Sequence, residues 1–241
     1  MHFLLTRPQQ DNRRLRQALV ALGHRVDCAP VITITYYDRK PIDITPFQAM
    51  LFTSANGVRA FALNSSVRNI PCFAVGPATA REAADCGFQT IFTAGGNVDR
   101  LAGLVKESLD PATGPLLHIS GRDIAGDLAA LLGQAGFSLS REQLYQAEKT
   151  PRLPREILDL MAAGSISHIP LYSPRSAGIF GGLVRDAGQE NCLKQITAVC
   201  LSPAVANMVK SLPWREILTA KYPNQTSLFQ ITGITLKEDR Q

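Results

Sequence analysis

The chain has 241 residues, 45% hydrophobic and 19% charged, a globular composition with room for one large domain or two of about 120 residues. A formal charge of +5 leans toward acidic partners, but no Lys/Arg run interleaves with aromatics, which argues against nucleic acid. No apolar run approaches ~18 residues, so no membrane span is expected.

The first strand is expected at residues 3–5, with no signal-peptide-like segment before it. Leu15, Leu19 and Leu22 then line one helical face ahead of Gly23, while Arg13, Arg14 and Arg16 read as its solvated side. Residues 26–37 (VDCAPVITITYY) form a β-rich run too long for one short strand. Strand-like runs follow at 49–52, 72–75, 90–92 and 116–119. Leu128, Leu131 and Leu132 line another helical face ahead of Gly136. Residues 139–150 (LSREQLYQAEKT) make a second long run at the equivalent place, and strands are expected again at 168–171, 198–201 and 217–220. Such alternation implies an α/β fold with parallel sheets covered by helices. Ligands of these sheets gather at the carboxyl ends of strands. Thr6-Arg7, Thr53-Ser54, Gly76-Pro77, Ser120-Gly121-Arg122, Ser173-Pro174 and Ser202-Pro203 fall there.

Several of these turns echo one another. Residues 50–57 and 169–176 both run from an apolar stretch through a serine turn, at an offset of 119 that Phe61 and Phe180 keep. Residues 74–80 match 200–206, residues 94–97 match 221–224, and residues 4–7 match 118–121. Four pairs in order point to duplication, with independent α/β units as the alternative. A strand-to-helix turn presents unpaired backbone N–H groups, which suit an anion. The repeated turns therefore suit a multiply anionic ligand. Arg7, Arg122 and Arg175 add cations at turn positions, or are surface arginines.

Other chemistries lack support. Cys28, Cys72, Cys86, Cys192 and Cys200 show no C-x-x-C spacing, which suggests reduced, core-filling thiols in a cytoplasmic protein. His2, His24, His118 and His168 lie apart without ligand spacing, so no metal site is expected. Phosphate-loop, dinucleotide and nucleophile-elbow motifs are missing from the sequence.

The ordered set Thr6-Arg7-Pro8, Phe52-Thr53-Ser54, residues 75–80, Ser120-Gly121-Arg122-Asp123, Leu144-Tyr145-Gln146, Tyr172-Ser173-Pro174 and residues 201–204 resembles the uroporphyrinogen-III synthase family over essentially the whole chain. The resemblance implies two doubly wound parallel-sheet α/β domains joined by a two-stranded ladder hinge. One would take residues 1–34 and 149–241, the other 35–148, against the tandem cut near residue 114 that a simple repeat suggests.

It also implies a monomeric hydro-lyase acting without metal or cofactor. The substrate would be hydroxymethylbilane, a linear tetrapyrrole with eight carboxylates, closed to uroporphyrinogen III with its last ring inverted. No nucleic-acid or membrane partner is implied; a transient contact with the preceding pathway enzyme is. Tyr145 matches the family's cleft tyrosine, as a hydrogen-bond donor to the departing hydroxyl or as a packed strand residue. Arg7, Thr53, Ser54, Gly76, Thr79, Ser120, Gly121, Arg122, Ser173 and Ser202 would bind substrate from one cleft. Each helix N-terminus is worth ~0.3–1 kcal/mol toward an anion, so positioning is the larger task. Three residues depart from the pattern: Ala55 where Pro is common, Ser202 where Gly is common, and Val205 where Thr is common. Those departures keep open a non-catalytic two-domain binding module for an acidic ligand.

Overall fold

A computed structural model of the chain describes residues 1–38, 42–124 and 126–236. The chain divides into two compact units, unit 1 comprising Met1–Thr33 and Glu148–Gln241 and unit 2 Ile34–Ala147.

Unit 1 contains β1 (His2–Leu5), α1 (Gln9–Ala21) and β2 (Arg25–Cys28). The chain then enters β3 (Ile32–Tyr36) and passes into unit 2. There follow β4 (Ala49–Phe52), α2 (Ala55–Asn64), β5 (Cys72–Ala74), α3 (Pro77–Asp85), β6 (Ile91–Thr93), α4 (Val98–Ser108), β7 (Leu116–Gly121) and α5 (Leu128–Gly133). The long β8 (Leu139–Lys149) returns the chain to unit 1. Unit 1 closes with α6 (Arg155–Ala162), β9 (His168–Leu171), α7 (Pro174–Asp186), a 3-10 turn, β10 (Thr197–Cys200), α8 (Pro203–Val209), β11 (Glu216–Thr219) and α9 (Gln225–Gln230).

The β-rich run 26–37 is not one strand. It splits at Ala29-Pro30-Val31, where proline supplies no backbone donor, and β2 and β3 join different sheets. β3 lies beside β8.

The sheet of unit 1 has the order β11-β10-β9-β1-β2, and that of unit 2 runs β3-β8-β7-β4-β5-β6. The echoes pair β1 with β7, β9 with β4, β10 with β5 and β11 with β6. Under that pairing the two sheets repeat one spatial order, the geometric mark of duplication. Strand order reverses between β1 and β9 in unit 1 and between β7 and β4 in unit 2. Such a switch point leaves a crevice at the strand carboxyl ends.

Local signals explain the helices. Ser54, Asn97, Asp127, Ser173 and Asn224 cap helices through their side chains. Pro77, Pro174 and Pro203 start helices where no N–H is needed. Gly23 and Gly136 take the positive φ that follows α1 and α5.

Helices cover both faces of each sheet. In unit 1, Phe180 and Val184 of α7 pack with Ile169 and Ala198 on one face, while Leu15, Leu19 and Phe229 pack with Phe3 and Val199 on the other. In unit 2, Val58 and Phe61 of α2 meet Phe52 and Ile119, and Leu101 and Leu132 meet Leu51 and Phe73. Each such fully buried side chain contributes about 1.5–3 kcal/mol. Cys72 and Cys200 are buried in these cores; Cys28, Cys86 and Cys192 are only partly so.

Candidate functional site

Two carboxyl ends border the switch point of unit 2. Thr53-Ser54 follows β4, and Ser120-Gly121 ends β7. Ser54 is extended and caps α2, its hydroxyl accepting the Asn56 N–H at 3.2 Å. Asn56 Oδ1 accepts in turn from the Tyr36 hydroxyl at 3.2 Å and from Arg59 at 3.1 Å. Arg59 also reaches Glu82 of α3 at 2.7 Å, which ties the first turn of α2 to α3. Gly57 is required for packing: a Cβ there would lie 2.9 Å from the Ile119 carbonyl oxygen.

Tyr145 comes from β8. The β7–β8 register runs regularly to Ser120↔Gln143 and then jumps to Gly121↔Tyr145. This bulge re-aims the strand and accounts for two consecutive buried residues, Leu144 and Tyr145, where strict alternation allows one. The Tyr145 ring presses on Gly121, where an added Cβ would lie 2.7 Å from ring carbon Cε2. The Ser54 side chain and the Gly121 backbone N–H lie near its phenol oxygen. Burial raises the phenol pKa from its ordinary value, against the opposing pull of Ser54, Gly121 and Arg141. Tyr145 is therefore a protonated donor at neutral pH. The structure thus brings Ser54, Gly121 and Tyr145 into one contact set.

The remaining residues of unit 2 divide by what their side chains are free to do. Thr53 Oγ1 lies 3.1 Å from Nε2 of buried His118 on β7. Burial, then the nearby Arg141, pushes the His118 pKa down to about 4, so the ring is neutral. Ser120 is only 1% exposed, and its hydroxyl accepts from Arg141 Nε at 2.7 Å. Gly76 is the extended residue ahead of α3, and Thr79 is buried in its first turn. The Ser120 hydroxyl is thus engaged with Arg141, and the Thr79 N–H is engaged with the Gly76 carbonyl. Arg122 is exposed beside Asp123 and Gln146.

Unit 1 places its residues differently. Arg7 follows β1, pairs with Asp11 at 3.3 Å and lies over the Tyr172 ring, 4.6 Å from its centroid. Asn12 donates to the Arg7 carbonyl at 2.7 Å. Ser173 caps α7, accepting the Ser176 N–H at 3.2 Å. Ser202 precedes α8 in extended backbone and makes no side-chain cap bond. Arg175 is exposed. Val205 is 1% exposed and belongs to the unit 1 core. Its N–H turns back to the Ser202 carbonyl at 3.0 Å, as that of Thr79 does to Gly76 at 3.1 Å. The Val205 departure thus leaves the backbone of that turn intact.

Arg141, Gly57 and the contact of His118 with Thr53 escaped the sequence reading. Their roles arise from cross-strand register and helix–strand approach, which no local spacing encodes. Among the described residues no group of three or more His, Cys, Asp or Glu could hold a metal ion, and no helix is long and apolar enough to cross a membrane.

Known proteins share this architecture. The chain is similar to uroporphyrinogen-III synthetase from Helicobacter pylori 26695, with a TM-score of 0.65 and 18% identity over 96% of this chain and 97% of that one. It is similar to a mutant uroporphyrinogen III synthase from the extremely thermophilic bacterium Thermus thermophilus, with a TM-score of 0.53 and 12% identity over 97% of each chain. At such identities the likeness speaks for the fold: two α/β units with parallel-dominated sheets. No curated protein matches the sequence. The family model of uroporphyrinogen-III synthase HemD matches residues 13–230. Matched over most of its length, the chain belongs to the uroporphyrinogen-III synthase family, enzymes of porphyrin biosynthesis.

Proposed function

We propose that the chain is a cofactor-independent hydro-lyase that cyclises hydroxymethylbilane to uroporphyrinogen III. The family match over residues 13–230 carries this reading. The geometry of unit 2 supports it.

The reaction begins with loss of the terminal hydroxyl. The C–O bond breaks, a proton goes to the leaving oxygen, and water departs. The pyrrole nitrogen stabilises the resulting azafulvene cation. In our reading Tyr145 donates a hydrogen bond to the leaving oxygen, its phenol kept protonated by burial. The last ring then attacks through a spiro intermediate and inverts, and the macrocycle closes with loss of a proton. Spontaneous closure gives the uninverted type I isomer, so the protein's larger contribution is orientation. Backbone donors at the extended residues Ser54, Gly76, Ser173 and Ser202 are suited to the substrate's carboxylates. Arg7 and Arg122 add positive charge, with Thr53, Thr79, Ser120 and Gly121 shaping the turns.

The test is turnover of freshly made hydroxymethylbilane, with isomers separated by chromatography. Type III product is expected, at a rate unchanged by a metal chelator. Type I alone at the spontaneous rate would overturn the reading in favour of a binding module for an acidic ligand.

A further inference from the structure

An exposed arginine ordinarily leaves its side chain in solvent, because fixing it costs rotamer entropy. Arg141 does not. Its Nε donates to Ser120 Oγ at 2.7 Å, and its Nη2 donates to the carbonyl oxygens of Gly121 at 2.6 Å and Arg122 at 2.9 Å. Three consecutive residues at the carboxyl end of β7 are thus held by one planar fork.

Those residues are the ones at which the β7–β8 register jumps, from Ser120↔Gln143 to Gly121↔Tyr145. Arg141 pairs with His118 in the regular part of that register. Alternation therefore puts it on the His118–Ser120 face of the sheet. Tyr145 leans on Gly121 and packs with Ile119 on the other face. Beyond the bulge, Arg122 donates its N–H to the Tyr145 carbonyl at 2.9 Å. The guanidinium grips the strand end from one side while the tyrosine ring rests on it from the other.

We propose that Arg141 is a positioning residue, fixing the bulge so that Gly121 seats the Tyr145 ring with its hydroxyl toward Ser54. The inference rests on the reading of Tyr145 as the donor to the leaving hydroxyl. A guanidinium suits the task because its fork can address a hydroxyl and two carbonyls together; a lysine ammonium is a point charge without that geometry.

The test is a double-mutant cycle with a spectroscopic arm. Arg141→Met keeps the aliphatic stem and removes the fork. We expect kcat to fall by roughly 10–100-fold, the scale of a small misplacement, with KM changed less than about twofold. In a Tyr145→Phe background the same substitution should cost less than about twofold, since both changes disable one contact. Equal losses in the two backgrounds would overturn the inference. If Arg141→Met does not fold, Arg141→Lys runs the same cycle, and a circular-dichroism melt identifies that case. With 13C-labelled tyrosine, the resonance that vanishes in Tyr145→Phe should shift in the Arg141 variant, whether or not the protein turns over. An unmoved resonance would show that Arg141 does not hold the ring. Full activity of Tyr145→Phe would instead overturn the donor reading, while the resonance still decides the positioning claim.

Discussion

Unit 1 and unit 2 repeat one strand order, yet they furnish the matching positions with different chemistry. By the 114-residue offset that relates β1 to β7, Tyr145 corresponds to Val31 and Arg141 to Asp27. Val31 is fully buried and donates its backbone N–H to Thr6. Asp27 pairs with His2 at 2.6 Å rather than gripping a strand end. Arg7, in turn, stands where Gly121 does and lies over Tyr172. The duplication thus supplied two copies of a scaffold with donor-rich turns. Of these matched positions, the pair in unit 2 seats a protonated phenol on a glycine and the pair in unit 1 does not. In our reading unit 2 contributes the proton donor.

The largest effect should come from filling the seat under that phenol. Gly121→Val introduces a Cβ 2.7 Å from the ring, so the ring must move. We expect loss of nearly all activity and about 1–3 kcal/mol of stability, read by urea denaturation. Gly103→Ala in α4 makes the control in the same unit, because a Cβ there meets nothing within 4 Å. If Gly121→Val retains wild-type kcat, the ring contact is not part of the mechanism.

A second difference shows in acid. His118 in unit 2 has its pKa pushed down to about 4, whereas an unfolded histidine titrates near ~6.5. Between those values the unfolded chain binds a proton that the folded chain refuses. Stability is therefore full above about pH 6.5 and falls as pH drops toward 4, by up to about 3 kcal/mol. His168 in unit 1 shifts in the same direction, chiefly through burial. His118→Gln should shrink the loss between pH 7 and pH 4.5 without abolishing it. An unchanged difference would mean that His118 does not carry the linkage.

The smallest effects separate the serines. Ser54→Ala removes a cap bond and a contact of Tyr145, so we expect about 0.5–2 kcal/mol of lost stability and weaker substrate binding by about 0.5–1.5 kcal/mol. Ser202 caps nothing with its side chain, and Ser202→Ala should leave the melting temperature within error. Equal effects at the two positions would erase this contrast between the units.

Much of this was legible in the sequence, for reasons that mark the boundary of what was not. Strands announced themselves as apolar runs closed by small polar residues, and the echo at Ser54 and Ser173 located two helix caps. Strand–helix alternation led to parallel sheets by covalent logic, since parallel strands need a crossover. The split of residues 26–37 was less visible, because Pro30 in an otherwise β-branched run reads equally as a bulge or a break. Pro170 shows the reverse case: it sits inside β9 beside β10, where its type argues against a central strand. Tyr145 was found by family resemblance, and its seat on Gly121 only by register. Ser120 and Thr79 were legible as turn residues but not as buried ones, since burial depends on partners that are distant in sequence, such as Arg141.

The central claim is that this fold turns hydroxymethylbilane into the inverted macrocycle with Tyr145 assisting departure of the hydroxyl. Steady-state turnover of wild type and Tyr145→Phe, with isomer analysis of both products, tests it most directly. The account predicts type III product from both proteins. It predicts a kcat ~100-fold lower in the variant, the scale of general-acid assistance, with KM little changed. Equal kcat values, or type I product from the wild-type chain, would contradict it.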